Sequence, residues 1–344
     1  MTVNQVAAGT TFIAGAAVLA YLGIQFYQKK KRDIIPWKWE EIGTLTHLYF
    51  YPLKSGHRIE LNKGECTEFG IKQSVEDEKV LQLGDRCLVV YSEKDNEFRT
   101  ARTYPKLFLI DVAVHDENHL AIDAPTMRTL YVKVPNKESN KELKIKLHRG
   151  EEVNSIDCGD EAASWFSRYI LEKGNGLRLG YHDANPIHRR DVTSVPKTLL
   201  DYYKNYTKFS TGLYSDQVSV NLISQPSVKD LQQRITTDTI TVNHFRPNLV
   251  VDGPGLKPYD EDDWEWIKVG DVILRTVRDC TRCMVPTINP ENGIRNQSRE
   301  PLKELEKYRV SNGPQKLPVM GLQLEVRKTG NLNVGEKVFV ARRQ

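Results

Sequence analysis

Two thiols separated by a guanidinium close an apolar, strand-like run: Val272 to Val277 leads into Asp279-Cys280-Thr281-Arg282-Cys283. Thiolate sulfur selects soft metal centres, and arginine presents a planar fork of donors that fits phosphate oxygens. The tract therefore suits a soft metal carried on an anionic ligand. Simpler readings compete with that one. A structural zinc site needs two further soft ligands at short spacing, and the only histidine pair at ligand spacing, His115 and His119, lies far upstream. A redox dithiol usually opens a helix that activates its thiol, and Met284-Val285-Pro286 is poorly suited to start one. For Cys280 and Cys283 alone, a pair of buried structural thiols is the simplest account.

Other residues shift that balance. Arg246 precedes Pro247, which biases it toward extended backbone and fixes its direction. Arg246 and Arg282 both interrupt apolar stretches, where a buried charge must be paired. A phosphate-bearing ligand would pair both, and so would carboxylates of the chain itself. Lys54-Ser55-Gly56 follows an aromatic strand and Pro52. A cation, a hydroxyl and an unhindered backbone at a strand end form an anion cradle or an ordinary turn. Asp85-Arg86 opens another strand and reads equally well as a plain exposed ion pair. The acidic run Asp260-Glu261-Asp262-Asp263 reads as the solvated start of a helix, where carboxylates complement the positive end.

These residues need a scaffold, and 344 residues with 39% hydrophobic and 27% charged content can bury one large core or two moderate ones. The net charge is +4, but residues 1–33 carry +3 of it through Lys29, Lys30, Lys31, Arg32 and Asp33. A near-neutral body argues against a nucleic-acid binder, whose basic field lies on the folded domain. Five cysteines with one close pair make a poor disulfide framework and fit a reducing compartment.

Val6 to Phe26 carries no charge. As a helix it would reach about 31 Å, close to a bilayer core of roughly 30 Å. The basic cluster follows the apolar stretch, opposite to a cleaved signal, and holds the body on the cytosolic side. Residues 1–40 are thus expected to be a membrane anchor with a basic flank.

From Leu45 onward the pattern is mainly strand. Strands are expected at Thr44–Tyr51, Arg86–Tyr91, Phe98–Ala101, Leu107–Val114, His119–Asp123, Thr129–Val134, Glu142–His148, Val218–Ile223, Thr239–Val251, Ile267–Val277, Gly321–Val326 and Glu336–Ala341. Helices are expected at Asp160–Lys173, at Pro196–Tyr206, and at Ser227–Ile235 with Ser227 as its cap. The fold class is mainly β (α+β), in two linked β-rich units joined around 185–195.

Taken in order, Tyr51-Pro52-x-Lys54-Ser55, Gly84-Asp85-Arg86, Thr100-Ala101-Arg102, Tyr214-Ser215-Asp216, Phe245-Arg246-Pro247-Asn248 and Cys280-x-Arg282-Cys283 resemble the MOSC family, and within it the mitochondrial amidoxime-reducing components. The resemblance implies a MOSC N-terminal β-barrel domain over 44–190 fused to a MOSC domain over 191–344, with a molybdenum cofactor (molybdopterin) between them. It implies Cys283 as the thiolate ligand to the metal, with Lys54, Ser55 and Arg86 holding the cofactor from the first domain. Asp216, Gln217, Arg246, Thr281 and Arg282 would hold it from the second, with Arg246 and Arg282 neutralising its phosphate. Gln217 replaces a smaller hydroxyl residue. The implied activity is two-electron reduction of N-hydroxylated compounds (amidoximes, hydroxylamines, N-oxides). No glycine-rich nicotinamide or flavin fingerprint is present in a strand-turn-helix setting, and the resemblance implies electrons from cytochrome b5 and its NADH-dependent reductase at the outer mitochondrial membrane. A sulfur carrier bearing a persulfide on Cys283 is the alternative activity, and a non-catalytic scaffold a third.

Overall fold

The computed structural model of the protein describes residues 33–74, 81–192, 205–312 and 316–343. The expected span Val6–Phe26 lies outside the described residues, and the expected helix Pro196–Tyr206 does so almost entirely. Among the described residues no helix is long and apolar enough to cross a membrane. The chain from Glu40 onward is one compact unit, and the segment before it is another. That earlier segment carries Ile34 and Trp37 exposed, with the Lys38 ammonium 4.6 Å from the Trp37 ring centre.

Seven strands close into a barrel: β1 (Glu40–Phe50), β2 (Val220–Ser224), β3 (Leu249–Asp252), β4 (Trp264–Val269), β5 (Val272–Thr281), β6 (Val319–Lys328) and β7 (Lys337–Arg342). Around the ring the order is β1, β3, β2, β6, β5, β4, β7 and back to β1. The β2–β3 pair is parallel, and the other neighbours are antiparallel. The expected single run Ile267–Val277 is two strands, because Gly270 at φ +54 turns the chain so that Val269 pairs with Val272. The β5–β6 ladder slips register at three places, the last between Asp279 and Thr281. Such bulges twist a strand and re-aim its side chains, here just before the two cysteines.

The residues between β1 and β2 build further sheet. Leu88–Ser92 pairs with Leu177–Tyr181, and Glu152–Asp157 and Glu142–Lys146 follow. Asp111–Val114, His119–Asp123 and Leu130–Lys133 form an antiparallel meander. Helix α1 (Asp160–Leu171) lays Trp165, Phe166, Tyr169 and Ile170 into a core shared with barrel residues such as Leu48, Leu222 and Leu249. The two halves are interlaced. The early strand β1 is a barrel member, and the late strand Gly330–Asn333 pairs with Lys63–Thr67.

Several expectations are corrected. Leu107–Val114 begins as a 3-10 turn, Pro105–Leu109, whose proline fixes the first φ. Phe98 makes only an isolated bridge to Tyr91. Thr239–Val251 opens with a 3-10 turn, Val242–Phe245, and is strand only from Leu249. Helix α2 (Gln225–Arg234) starts earlier than expected and is capped by Ser224, whose hydroxyl accepts from the Ser227 N–H at 3.4 Å. The acidic run is a 3-10 turn, Asp260–Asp263, and no solvated helix start. Its Glu261 is fully buried and accepts from the Ser224 and Ser227 hydroxyls at 2.8 Å each. Burial pushes that carboxyl above its ordinary range.

Candidate functional site

β5 ends at Thr281, opposite Val319 of β6, and the Arg282 N–H donates to Pro318 O at 2.7 Å. Cys280, on the strand, is buried, and burial raises its thiol. Cys283, past the strand end, is a free, half-buried thiol. Thr281 Oγ1 accepts from Arg278 at 3.4 Å. Arg282, expected to meet a phosphate, is 8% exposed and uses its guanidinium on the chain. It donates to Met320 O through Nε at 2.8 Å and also through Nη2, to Phe245 O at 2.9 Å, and to Asn221 Oδ1 at 3.4 Å. The residue ties the end of β5 to β6 and to the 242–245 turn.

Facing this wall, β1 runs into Tyr51-Pro52-Leu53-Lys54-Ser55. Ser55 takes φ +66, a left-handed turn that redirects the chain out of the strand. Lys54 is buried and donates from Nζ to Tyr214 O at 2.7 Å and to Asp216 Oδ1 at 2.5 Å. Burial lowers the Lys54 pKa, against the pull of Asp216. Burial would raise the Asp216 carboxyl, but Lys54, His148 and Arg102 outweigh it and hold Asp216 well below the usual carboxylate range. The Ser215–Gln217 loop is fastened from beneath. Arg190 donates to Ser215 O at 2.7 Å and to Gln217 O, and the Gln217 side chain accepts from the Tyr206 hydroxyl.

At the inner end, Arg86 (φ +53) pairs with Asp85, and its Cζ lies 4.6 Å from the Tyr51 ring centre. Arg246 adopts φ +51 and ψ +50, not the extended backbone that the following proline favours. It closes the 242–245 turn in left-handed geometry, with its N–H on Asn243 O at 3.2 Å. Its guanidinium packs against two rings, Tyr51 at 4.1 Å and Phe108 at 4.8 Å. Arg246 is 9% exposed, and its Nη2 is a buried donor without a hydrogen-bond partner among the described residues. Burial, reinforced by Arg86, lowers its pKa to about 10. A donor left in that state costs about 1–3 kcal/mol, so the position favours an anion.

All nine residues singled out in the sequence, Lys54, Ser55, Arg86, Asp216, Gln217, Arg246, Thr281, Arg282 and Cys283, line one cleft of about 440 Å³. The cleft has further lining residues to which the sequence reading gave no role. Arg102, at the mouth, lies 3.7 Å from Asp216 and faces the Cys283 sulfur. Burial alone would lower the Arg102 pKa, but the sulfur and the carboxylate reverse that and raise it. His148 stands beside Asp216 at the rim, on the turn after Glu142–Lys146. Arg102 was within reach of sequence reasoning through the Thr100-Ala101-Arg102 motif. His148 carried no such signal. Among the described residues no cluster of His, Cys, Asp and Glu could hold a metal by itself, so a metal here needs ligands beyond Cys283.

The MOSC N-terminal beta barrel domain matches residues 42–173, and the MOSC domain matches residues 210–339. Mitochondrial amidoxime-reducing component 1 of Danio rerio is 32% identical, covering 97% of this chain and 93% of that protein. Mitochondrial amidoxime reducing component 2 of Rattus norvegicus is 31% identical over 87% of this chain and 84% of its own length. Mitochondrial amidoxime-reducing component 1 of Homo sapiens is 28% identical over 88% and 84%.

Proposed function

Because the chain belongs to the MOSC family, among relatives named mitochondrial amidoxime-reducing components, we propose that it is a molybdenum-cofactor reductase of N-hydroxylated compounds: amidoximes, hydroxylamines and N-oxides. The observation that carries this reading is the convergence of a half-buried free thiol and an orphaned, buried guanidinium on one cleft. Its volume of about 440 Å³ falls within the roughly 300–1,000 Å³ of small-molecule and cofactor sites. The donors fit the group: a thiolate suits a soft metal, and guanidinium suits phosphate.

In this reading Cys283 ligates molybdenum, and Arg246 with Arg86 binds the phosphate. Lys54, Ser55, Asp216, Gln217 and Thr281 shape the cofactor's bed, and Arg282 keeps the wall in register through its carbonyl bonds. When bound, the cofactor supplies the two-electron oxygen chemistry that amino-acid side chains cannot. Overall, two electrons and two protons convert N–OH to N–H, or an N-oxide to the free amine, and release one water. Arg102 sets a positive charge beside the sulfur, where it can orient the substrate's N–O oxygen. Asp216 neutralises Lys54 and limits the surplus cation charge at the mouth. Electrons come from cytochrome b5 and its NADH-dependent reductase. The relatives' names support a mitochondrial location, and residues 6–26 anchor the chain in the outer membrane with its body in the cytosol.

The test is metal analysis beside benzamidoxime reduction. The wild type should hold near-stoichiometric molybdenum and reduce the substrate, and Cys283→Ala should fold and do neither. A fully active Cys283→Ala protein would end this reading.

A further inference from the structure

Arg86 and Arg246 reach the inner end of the cleft from opposite halves of the sequence, yet they share one contact surface. Their Cζ atoms lie 4.6 and 4.1 Å from the Tyr51 ring centre. Arg86 Nη2 also donates to Arg246 O at 3.4 Å. Two like charges so close repel. Asp85 beside them pairs with Arg86, and Arg246 Nη2 keeps no hydrogen-bond partner among the described residues. An aromatic face attracts cations through its quadrupole, and the effect grows when the pair is desolvated. Tyr51 is 1% exposed.

The ring itself is fastened. The Tyr51 N–H donates to Asp85 Oδ1 at 2.9 Å, and its hydroxyl donates to Pro247 O at 3.1 Å. Asn248 Nδ2 donates to the same Asp85 oxygen at 3.1 Å and to Tyr49 O at 3.1 Å. Tyr51 is therefore bonded to residues flanking both arginines. Burial pushes its phenol up to about 12, so the ring stays neutral across the physiological range.

We propose that Tyr51 is a positioning residue for the cleft's anion site: its ring holds Arg86 and Arg246 at a common spacing so that both guanidiniums meet one phosphate group. This rests on the cofactor reading above and adds the residue that sets the geometry of its phosphate grip. The two arginines touch the anion, and Tyr51 acts through them. Left-handed backbone at both arginines is strained for non-glycine residues, by about 1–3 kcal/mol each, and the shared ring is part of what over-determines it.

The experiment is graded fluorination. Phenylalanine at position 51, then its mono-, di- and trifluorinated forms, changes the ring's electron density with little change in shape. Two readouts are taken on the full chain. One is the rate at which loaded protein releases molybdenum on dilution. The other is inorganic phosphate binding, by 31P line broadening, to protein from a host that cannot make the cofactor. Release should quicken and phosphate affinity should fall stepwise, by about tenfold across the series, with an unchanged Tm. Tyr51→Leu should lie beyond the end of the series. A flat series in both readouts overturns the role of Tyr51 while leaving the cofactor reading intact. A wild-type protein that holds neither molybdenum nor phosphate overturns both.

Discussion

At the inner wall of the cleft Arg246 is 9% exposed and stacked on Tyr51 and Phe108, whereas at the mouth the Arg102 side chain is 39% exposed and reaches Asp216 only across 3.7 Å. The histidines of the two regions differ in the same sense. His244, which lines the inner part of the cleft, is 5% exposed and accepts from the Thr241 N–H at 3.2 Å, whereas His148 is exposed at the rim. Taking a cation out of water is costly unless a counter-charge replaces the lost solvation. An inner-wall charge is thus committed to one partner in one geometry. A mouth charge keeps its water and can follow a changing substrate. Under the proposed function, retention belongs to the inner wall and turnover to the mouth.

The sharpest way to break that division uses the two cysteines. Cys283→Ala should remove all bound molybdenum and all reductase activity, while Cys280→Ala, at a buried strand position, should keep its metal. Equal metal loss in both would merge the two roles, and elemental analysis reads it directly.

The arginines separate next. Arg246→Met should lower molybdenum retention by about 10–100-fold, the range seen when a residue supporting a metal site is lost. Arg102→Met should keep its metal and lose about 100-fold in kcat, as when one transition-state donor is removed. Steady-state kinetics on protein matched for metal content decides it, and Arg102→Met protein purified without metal would contradict it.

His182 offers a smaller, pH-dependent effect. Burial lowers its pKa to about 4, against about 6.5 in an unfolded chain. Between those values the unfolded state binds the extra proton, so stability falls as pH drops from about 6.5 to 4. The full loss is roughly 3 kcal/mol. His182→Phe should flatten the Tm profile over that window, and an unchanged slope would remove His182 as its source.

Asp216 gives the smallest shift. Its carboxyl is held below the ordinary range, so its contribution is fully present above about pH 4 and fades as pH falls further. Its side chain is 46% exposed, and solvent screening keeps the effect to about 1 kcal/mol or less. Asp216→Asn should be slightly less stable than wild type at neutral pH and should converge with it in acid. A constant gap down to pH 3 would contradict this.

Lys54, Ser55, Arg86, Arg246, Arg282 and Cys283 were legible by residue type, Asp216, Gln217 and Thr281 came only from the resemblance to the MOSC family, and all nine line a single cleft. Side-chain partnerships were not. Arg282 lies between two thiols in sequence, but its acceptors come from Met320, Phe245 and Asn221, which no local pattern reveals. Arg246 illustrates a local rule overridden by tertiary contacts. The bias toward extended backbone before proline yields where two rings and a turn fix a left-handed cap. Glu261 looked solvated because its neighbours are acidic, yet two serine hydroxyls of another segment draw it inside. Strand segments were recognised where apolar residues alternate and lost where proline opened a 3-10 turn instead, as at Pro105.

The interlaced pairing of β1 has a consequence for how the molecule is made. β1 lies between β3 and β7, the last of which ends at Arg342. During synthesis β1 emerges long before β3 and β7, and until they follow, the nearby strand Ile59–Leu61 covers only its Leu48–Phe50 end. Closure of the barrel is therefore a late step of high contact order, set by pairings between the first and last strands of the ring.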